Sequence, residues 1–220
     1  MTSTIVSPKL YRELQDNIQK LTANSRKISS ERKLLLNRLG DYIARCTREK
    51  QLVRLTVICT HNSRRSHLGQ AWLLAAADHF GLQGIQTFSG GTEATAFHPN
   101  AIAALQRAGF HINTEEAGSD NPTYQLSTGP DREVEYLFSK KFDHPLNPVS
   151  SFAAIMVCSD ADEACPFVPG ADARFAIRYE DPKAADGTEE AADVYDARCM
   201  QIGREMLYAM KRAKKNLDRK

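Results

Sequence analysis

The sequence predicts an α/β domain on an open, four-stranded parallel sheet flanked by helices, preceded by a helical N-terminal extension. Three observations predict it. Four short apolar runs, at 52–58, 84–89, 152–158 and 174–179, have the length and β-branched or aromatic content of strands. Stretches of helical periodicity separate or follow them, and strands alternating with helices imply a parallel sheet with helices on its faces. The first fifty residues hold no strand-like run at all, only helical patterning.

Bulk properties narrow the class. The chain has 220 residues, 42% of them hydrophobic and 25% charged. That suits one globular domain with an appendage, large enough to bury a core without staples. The formal net charge of +2 offers no global field for nucleic acid. No apolar run approaches the about 18 residues of a membrane span. The start "MTSTIVSPKL" lacks the charged head and apolar centre of a secretory signal, so a cytoplasmic protein is expected. Five cysteines, an odd number without a closely spaced framework, then read as thiols.

Residues 1–50 form the extension and 51–220 the main domain. Residues 8–48 read as two helices. Leu10, Leu14, Ile18 and Leu21 share one face of the first. Leu35, Leu39, Tyr42 and Cys46 share a face of the second, with Ser30 as its N-cap. Such a pair could pack on the main body or form a homodimer, and it carries no chemical motif. Residues 52–58 form the first strand. Residues 66–80 form a helix stopped by Gly81. "GIQTFS" (84–89) is the second strand, and Pro99 opens a helix that Gly109 closes. Residues 113–150, rich in Pro, Gly, Asp and Lys, read as an irregular insertion with "REVEYLF" as an extra strand. "FAAIMVC" (152–158) and "RFAIRY" (174–179) complete the sheet. A long last helix starts at Thr188 and ends in Lys211, Arg212, Lys214 and Lys215, the charge order its dipole favours.

The chemistry concentrates in "LTVICTHNSRRSHLGQAW" (55–72). A strand ends in Cys59, a polar loop follows, and two arginines precede a helix. In open parallel sheets, ligands bind beyond the carboxyl ends of strands. Amide N–H groups at a helix N-terminus, reinforced by arginine, make an anion site. The same positive potential favours thiolate over thiol at Cys59. A structural cysteine at a strand end is the plainer reading of Cys59 alone. Arg65 six residues on, beside the helix start, turns the balance toward function.

"CTHNSRRS" resembles the C-x-x-x-x-x-R-S signature of low-molecular-weight protein tyrosine phosphatases. It resembles still more the C-x-x-N-S-C-R-S loop of the related thioredoxin-coupled arsenate reductases. The resemblance continues through "SGGTEATAFHPNAIAALQRAGFHI" and resumes from Phe152 to about Met206. It omits residues 1–50 and most of 118–150. It implies the low-molecular-weight phosphatase fold. It also implies that Cys59 is the nucleophile, Arg65 clamps the oxyanion, Asn62 shapes the loop and Ser66 hydrogen-bonds the thiolate. Thr60, His61, Asn62, Ser63, Arg64, Arg65 and Ser66 then form the oxyanion-binding loop. His61 either touches ligand or faces solvent. Arg64 replaces the cysteine that the reductases often carry before the clamp arginine.

Displacing an oxygen from phosphorus or arsenic needs a proton delivered to the leaving oxygen. "YEDPKAADG" places Asp181 before Pro182 after the fourth strand, where the resembled family carries its Asp-Pro acid. A turn aspartate is the plainer reading. Lys183 and Ala184 follow, where the phosphatases commonly have an aromatic wall, and this weakens the case for phosphotyrosine. "CSDADEACP" carries Cys158 and Cys165. Their spacing does not suit short zinc hooks, and a small core residue is the plainer reading of Cys158. The segment resembles the redox segment of the arsenate reductases, which implies that Cys158 and Cys165 relay a disulfide outward. Asp160, Asp162 and Glu163 read as a solvated acidic loop in preference to a metal site. Cys46 and Cys199 read as core.

The expected activity is arsenate reduction: Cys59 attacks arsenate, Asp181 protonates the departing oxygen, and Cys158 and Cys165 carry the oxidation to thioredoxin or a similar thiol reductant. The rival is a phosphatase with the same Cys59, Arg65 and Asp181, in which water resolves a phosphocysteine. Neither requires a metal or an organic cofactor. A module that only reads phosphorylated partners is the third class, and it needs neither nucleophile nor acid.

Overall fold

The computed structural model of the protein describes residues 9–116, 118–164 and 167–219. Helices α1 (Arg12–Ala23) and α2 (Ser30–Arg48) precede strand β1 (Val53–Cys59), helix α3 (Arg65–Phe80), strand β2 (Ile85–Gly91) and helix α4 (Pro99–Arg107). Short strands β3 (His111–Asn113), β4 (Tyr124–Ser127) and β5 (Glu135–Leu137) follow. Strand β6 (Phe152–Met156), helix α5 (Ser159–Ala164), strand β7 (Ala171–Ala176) and helix α6 (Ala191–Asp218) complete the chain.

The main sheet is parallel throughout, in the order β2-β1-β6-β7. β1 is central, and six of its seven residues are buried, as a strand covered on both faces requires. From β1 the chain steps to β2 on one side, and later returns to β6 on the other. The strand order therefore reverses at β1, and the crevice of such a reversal opens beyond the carboxyl ends of β1 and β6. Cys59 closes β1, and Cys158 follows β6 by two residues.

The long helix α6 organises the rest. It packs against α1, α2, α3 and α4, burying Tyr195, Cys199, Ile202, Met206 and Met210. Gly203 sets the approach to α3: a Cβ there would lie 2.5 Å from the Trp72 ring. The apolar faces of the extension are used within the chain. Leu14, Ile18 and Leu21 of α1 and Leu36, Leu39 and Ile43 of α2 are all buried. Burying such a stripe is what stabilises helices of this length.

Several boundaries differ from the sequence reading. Ser29, not Ser30, caps α2, because its hydroxyl accepts the Arg32 amide at 3.2 Å. The buried stripe of α2 runs through Leu36, with Leu35 half-buried. The fourth strand is 171–176, three residues earlier than its apolar run. It is an edge strand, so its pairing with β6 decides its extent. The last helix starts at Ala191, after a turn in which Thr188 bonds back to Ala185. The insertion is more regular than its composition: β3, β4 and β5 form an antiparallel sheet, with β5 inside "REVEYLF". Beyond β5, residues 139–142 run along the free edge of β2. The Gly91 amide donates to the Lys140 carbonyl, and the Phe142 amide donates to the Gly91 carbonyl, each at 2.9 Å.

Candidate active site

The loop between β1 and α3 is fixed from outside. Donors elsewhere in the fold take its carbonyls: the Thr92 amide bonds Cys59, the Glu93 amide bonds Thr60, and the His98 amide bonds Ser63. The Ser139 and Thr95 hydroxyls both donate to the His61 carbonyl. These loop carbonyls are therefore satisfied from outside, and a helix start such as that of α3 leaves its first-turn amides without intrahelical partners, as an anion site requires. Asn62 sits in the left-handed region at φ 45°. Its side chain holds the turn: Oδ1 accepts the Lys140 amide at 2.8 Å and Nδ2 donates to Ser66 Oγ at 2.8 Å. Because Ser66 accepts from Asn62, its own proton is free for the Cys59 sulfur, 3.1 Å away.

A cavity of about 10 Å³ lies over the sulfur, lined by Cys59, His61, Ser63, Arg64, Arg65 and Asp181. Arg65 is buried. It donates to the Tyr179 carbonyl at 2.8 Å and to the Asp181 carboxylate at 2.5 Å. Asp181 also accepts the Lys183 amide at 3.0 Å, which caps the short turn Pro182–Ala185. The structure thus brings Cys59, Arg65, Ser66, Asn62 and Asp181 together. His61 lines the rim, with Nε2 3.7 Å from Glu93. A more open shelf of about 380 Å³ adjoins the cradle, lined by His61, Ser63, Arg64, residues 95–99 and Lys183.

Arg64 lines the cradle and also pairs with groups outside the loop. Its guanidinium donates to the Asp186 carboxylate and to the Tyr195 hydroxyl, each at 2.5 Å. Tyr195 in turn donates to Asp186 at 2.6 Å, and the His98 ring stacks on Tyr195. Burial raises the Asp186 carboxyl, but the Tyr195 hydroxyl and Arg64 outweigh it and hold the group below its usual range. The Tyr195 phenol is pushed up to about 12, by burial first and then by Asp186. Burial and Arg64 keep the His98 ring below its ordinary value. At neutral pH this cluster is therefore an arginine–carboxylate pair with neutral partners.

Cys158 is 1% exposed. Its sulfur lies 3.4 Å from the Thr60 hydroxyl and 3.4 Å from the Ala161 amide at the start of α5. β1 and β6 are neighbours with Ile58 opposite Met156, so Cys59 at the end of β1 and Cys158, two residues beyond the end of β6 and not in the strand as its apolar run predicts, lie on the same sheet edge. Cys165 lies outside the described residues. The acidic stretch between them is not uniformly solvated: Asp162 is buried and paired with Arg174 and Arg178. Among the described residues no group of three or more His, Cys, Asp or Glu side chains is arranged to hold a metal. Cys199 accepts the Trp72 indole N–H, and burial pushes its thiol up to about 12, as suits a core cysteine.

Sequence reasoning missed the supports. Ser139 and Lys140 come from the insertion and hold the loop. Asp186 and Tyr195 hold Arg64. Arg32, from the extension, reaches the segment before Asp181. Their only sequence signal is polarity, and partners more than 75 residues apart leave no spacing to read.

Comparison with known proteins agrees with this geometry. Residues 54–123 match the family described as low molecular weight phosphotyrosine protein phosphatase. Arsenate reductases from Bacillus licheniformis and Bacillus subtilis are each 29% identical over 133 residues, covering 60% of this chain and 76% of theirs. An arsenate reductase of Staphylococcus epidermidis is 26% identical over the same length and 80% covered. Among solved structures, a YwlE mutant from Bacillus subtilis superposes with a TM-score of 0.50 at 16% identity, over 72% of this chain and 97% of its own. The YwlE arginine phosphatase with a phosphorylated active-site serine gives 0.51 at 16% identity, over 76% and 98%. In the segment that carries the Cys59 loop the chain is similar to the low molecular weight phosphotyrosine protein phosphatases and to arsenate reductases, and its four-stranded fold is similar to that of the solved phosphatases.

Proposed function

We propose that the protein is an arsenate reductase working through a thiolate nucleophile and a cysteine relay. The Cys59 thiolate, held by the Ser66 hydroxyl, attacks arsenic(V). The loop amides and Arg65 carry the negative charge of the equatorial oxygens. Asp181 gives its proton to the departing oxygen, which leaves as water, and a Cys59 sulfur–arsenic bond remains. The Cys158 thiolate then attacks the Cys59 sulfur. A disulfide forms, the sulfur–arsenic bond breaks, and its electron pair leaves with arsenic as arsenite. Cys165 attacks the Cys158 sulfur next, restoring the Cys59 thiolate. An external dithiol of the thioredoxin class reduces the Cys158–Cys165 disulfide.

The observation that carries this reading is the second thiol beside the reactive loop, 3.4 Å from Thr60. A phosphatase has no use for it. The small cradle, with Lys183 and Ala184 in place of an aromatic wall, also suits an inorganic oxyanion better than an aryl ester. The rival phosphatase reading keeps the family match in its favour. A paired assay separates them. Arsenate with thioredoxin, thioredoxin reductase and NADPH should give arsenate-dependent NADPH oxidation, with much slower hydrolysis of a chromogenic aryl phosphate. Brisk aryl phosphate turnover with no arsenate-dependent oxidation would reverse the assignment.

A further inference from the structure

Arg32 belongs to the N-terminal extension, yet it ends beside the reactive machinery. It is the third residue of α2, and its amide is capped by Ser29. Its guanidinium makes three contacts. Nε donates to the Glu205 carboxylate of α6 at 2.8 Å. Nη2 donates to the Arg178 carbonyl at 2.9 Å. Its plane lies over the Tyr179 ring, with the carbon 4.7 Å from the centroid. Glu205 is 4% exposed, so this carboxylate needs the arginine to be buried at all.

The contact continues into the active site. The Tyr179 carbonyl is the acceptor that holds Arg65, at 2.8 Å. Among the described residues Arg65 has one other hydrogen-bonded anchor, Asp181. When Asp181 turns to its proton transfer and the Arg65 donor goes to the oxyanion, the Tyr179 carbonyl is the anchor that remains. Where that carbonyl lies decides where the guanidinium points. Tyr179 is itself buried, and burial first, then Glu205, keeps its phenol well above the usual range. The ring beneath Arg32 is thus a neutral, fixed plate.

We propose that Arg32 is a positioning residue for the reaction: by fixing Arg178 and Tyr179 it aims the Arg65 guanidinium at the oxyanion, so the extension is part of the catalytic scaffold. The inference rests on the reading of Arg65 as the oxyanion clamp, and it holds equally for arsenate and for phosphate esters. A misplacement of about 1 Å in such a group costs on the order of a hundredfold in rate.

The test uses the full chain with inorganic phosphate as the binding probe. Arg32→Lys keeps a charge for Glu205 but loses the planar stack and the second directed donor. The double variant Arg32→Met with Glu205→Met removes both members of the buried pair, which leaves no orphaned charge. Arg65→Ala is the control for the underlying reading. Phosphate affinity by calorimetry, kcat and KM, and melting temperature are measured for each. Arg65→Ala should abolish phosphate binding. The double variant should melt within about 5 °C of wild type, bind phosphate at least about fivefold more weakly and lose roughly ten- to a hundredfold in kcat/KM. Arg32→Lys should fall between. If the double variant does not fold, Arg32→Lys decides alone, weakened phosphate binding in the folded protein supporting the proposal. Phosphate affinity and kcat/KM within twofold of wild type in folded Arg32→Lys, with Arg65→Ala inactive, overturn it. Normal phosphate binding by Arg65→Ala overturns the clamp reading and the proposal together.

Discussion

Arg64 binds the Asp186 carboxylate at 2.5 Å, which ties the oxyanion loop to the loop that carries Asp181. The residue that precedes α3 and a residue of the loop between β7 and α6 thus share one ion pair, with the Tyr195 hydroxyl bonded to both. Arg64 and Asp186 are mostly shielded from solvent, so the pair is less screened than an ordinary surface bridge. Removing it should loosen the acid loop. Arg64→Met and Asp186→Asn should each lower kcat by about tenfold while changing KM much less than an Arg65 variant does. Combined, they should cost little more than either alone, a coupling of about 1–2 kcal/mol. Strictly additive losses would mean that the two residues act separately.

Gly91 carries a sharper steric prediction. β2 ends against the reactive loop, and a Cβ on Gly91 would lie 2.5 Å from the Thr60 carbonyl oxygen and 2.7 Å from the Asn62 nitrogen. Both are backbone atoms of the loop and cannot swing aside. Gly91→Ala should cost about 1–3 kcal/mol in urea denaturation. Its folded fraction should also lose phosphate affinity, since relief of the clash moves the loop amides. Wild-type phosphate binding by the variant would show that the loop yields without losing its shape.

The parallel sheet was legible because its signals are local. Apolar runs mark the strands, Pro99 and Gly81 mark helix ends, and Cys59, Arg65 and Ser66 lie within eight residues of one another. Asp181 was legible through the Pro that follows it. What was not legible depends on distance in the chain. The apolar run at 174–179 is displaced from β7 (Ala171–Ala176) because pairing with β6 sets the strand, not side-chain composition. Asp162 in "SDADEA" reads as solvated until Arg174 and Arg178 are folded over it. Arg64 reads as part of the oxyanion loop because it lies within the 60–66 segment. Only the fold brings Asp186 and Tyr195 near enough to claim it.

Lys140 gives a pH prediction. Its amide donates to Asn62 of the loop and its carbonyl accepts the Gly91 amide of β2, but the residue is only 5% exposed, with the ammonium 4.7 Å from the centre of the Phe138 ring. Burial lowers its pKa to about 8, only partly offset by the attraction of Glu135. The unfolded chain keeps the ordinary lysine value, so between about pH 8 and 10.5 it binds more protons than the folded one, and stability rises with pH across that window. Below about pH 8 both states are charged and the folded state bears the whole burial penalty, on the order of 3 kcal/mol. Lys140→Met should therefore raise the urea midpoint at pH 7, with an advantage that shrinks by pH 10. An equal gain at both pH values would assign the effect to packing.

The cradle predicts selective alkylation. Iodoacetamide at pH 7 should modify Cys59 well ahead of Cys46 and Cys199, because Cys59, though as buried as Cys46, opens onto the cradle beside Arg65, and peptide mass spectrometry would read the order. Added phosphate should protect Cys59, because the anion occupies the same amides and Arg65. Labelling of Cys59 that is indifferent to phosphate would separate the thiol from the anion site.

The two leading functions part at Cys158. Both begin with Cys59, so Cys59→Ser should abolish either activity and cannot discriminate. A phosphocysteine is resolved by water with Asp181 acting as base, and no second sulfur is required. An arsenic adduct must be reduced, and the electrons come from a thiol that can reach the Cys59 sulfur. Cys158 follows the strand beside β1 by two residues and touches Thr60, the residue next to Cys59. Cys158→Ser keeps the volume and a hydrogen-bonding atom opposite the Thr60 hydroxyl, so the fold should survive. It should stop arsenate reduction under multiple turnover while leaving aryl phosphate hydrolysis largely intact. Cys165→Ser should allow about one turnover, because the Cys59–Cys158 disulfide then has no internal thiol to resolve it. That disulfide should appear as a cross-linked peptide after nonreducing digestion. Wild-type arsenate reduction by both variants would return Cys158 to the core and make the phosphatase chemistry of Cys59, Arg65 and Asp181 the activity of this chain.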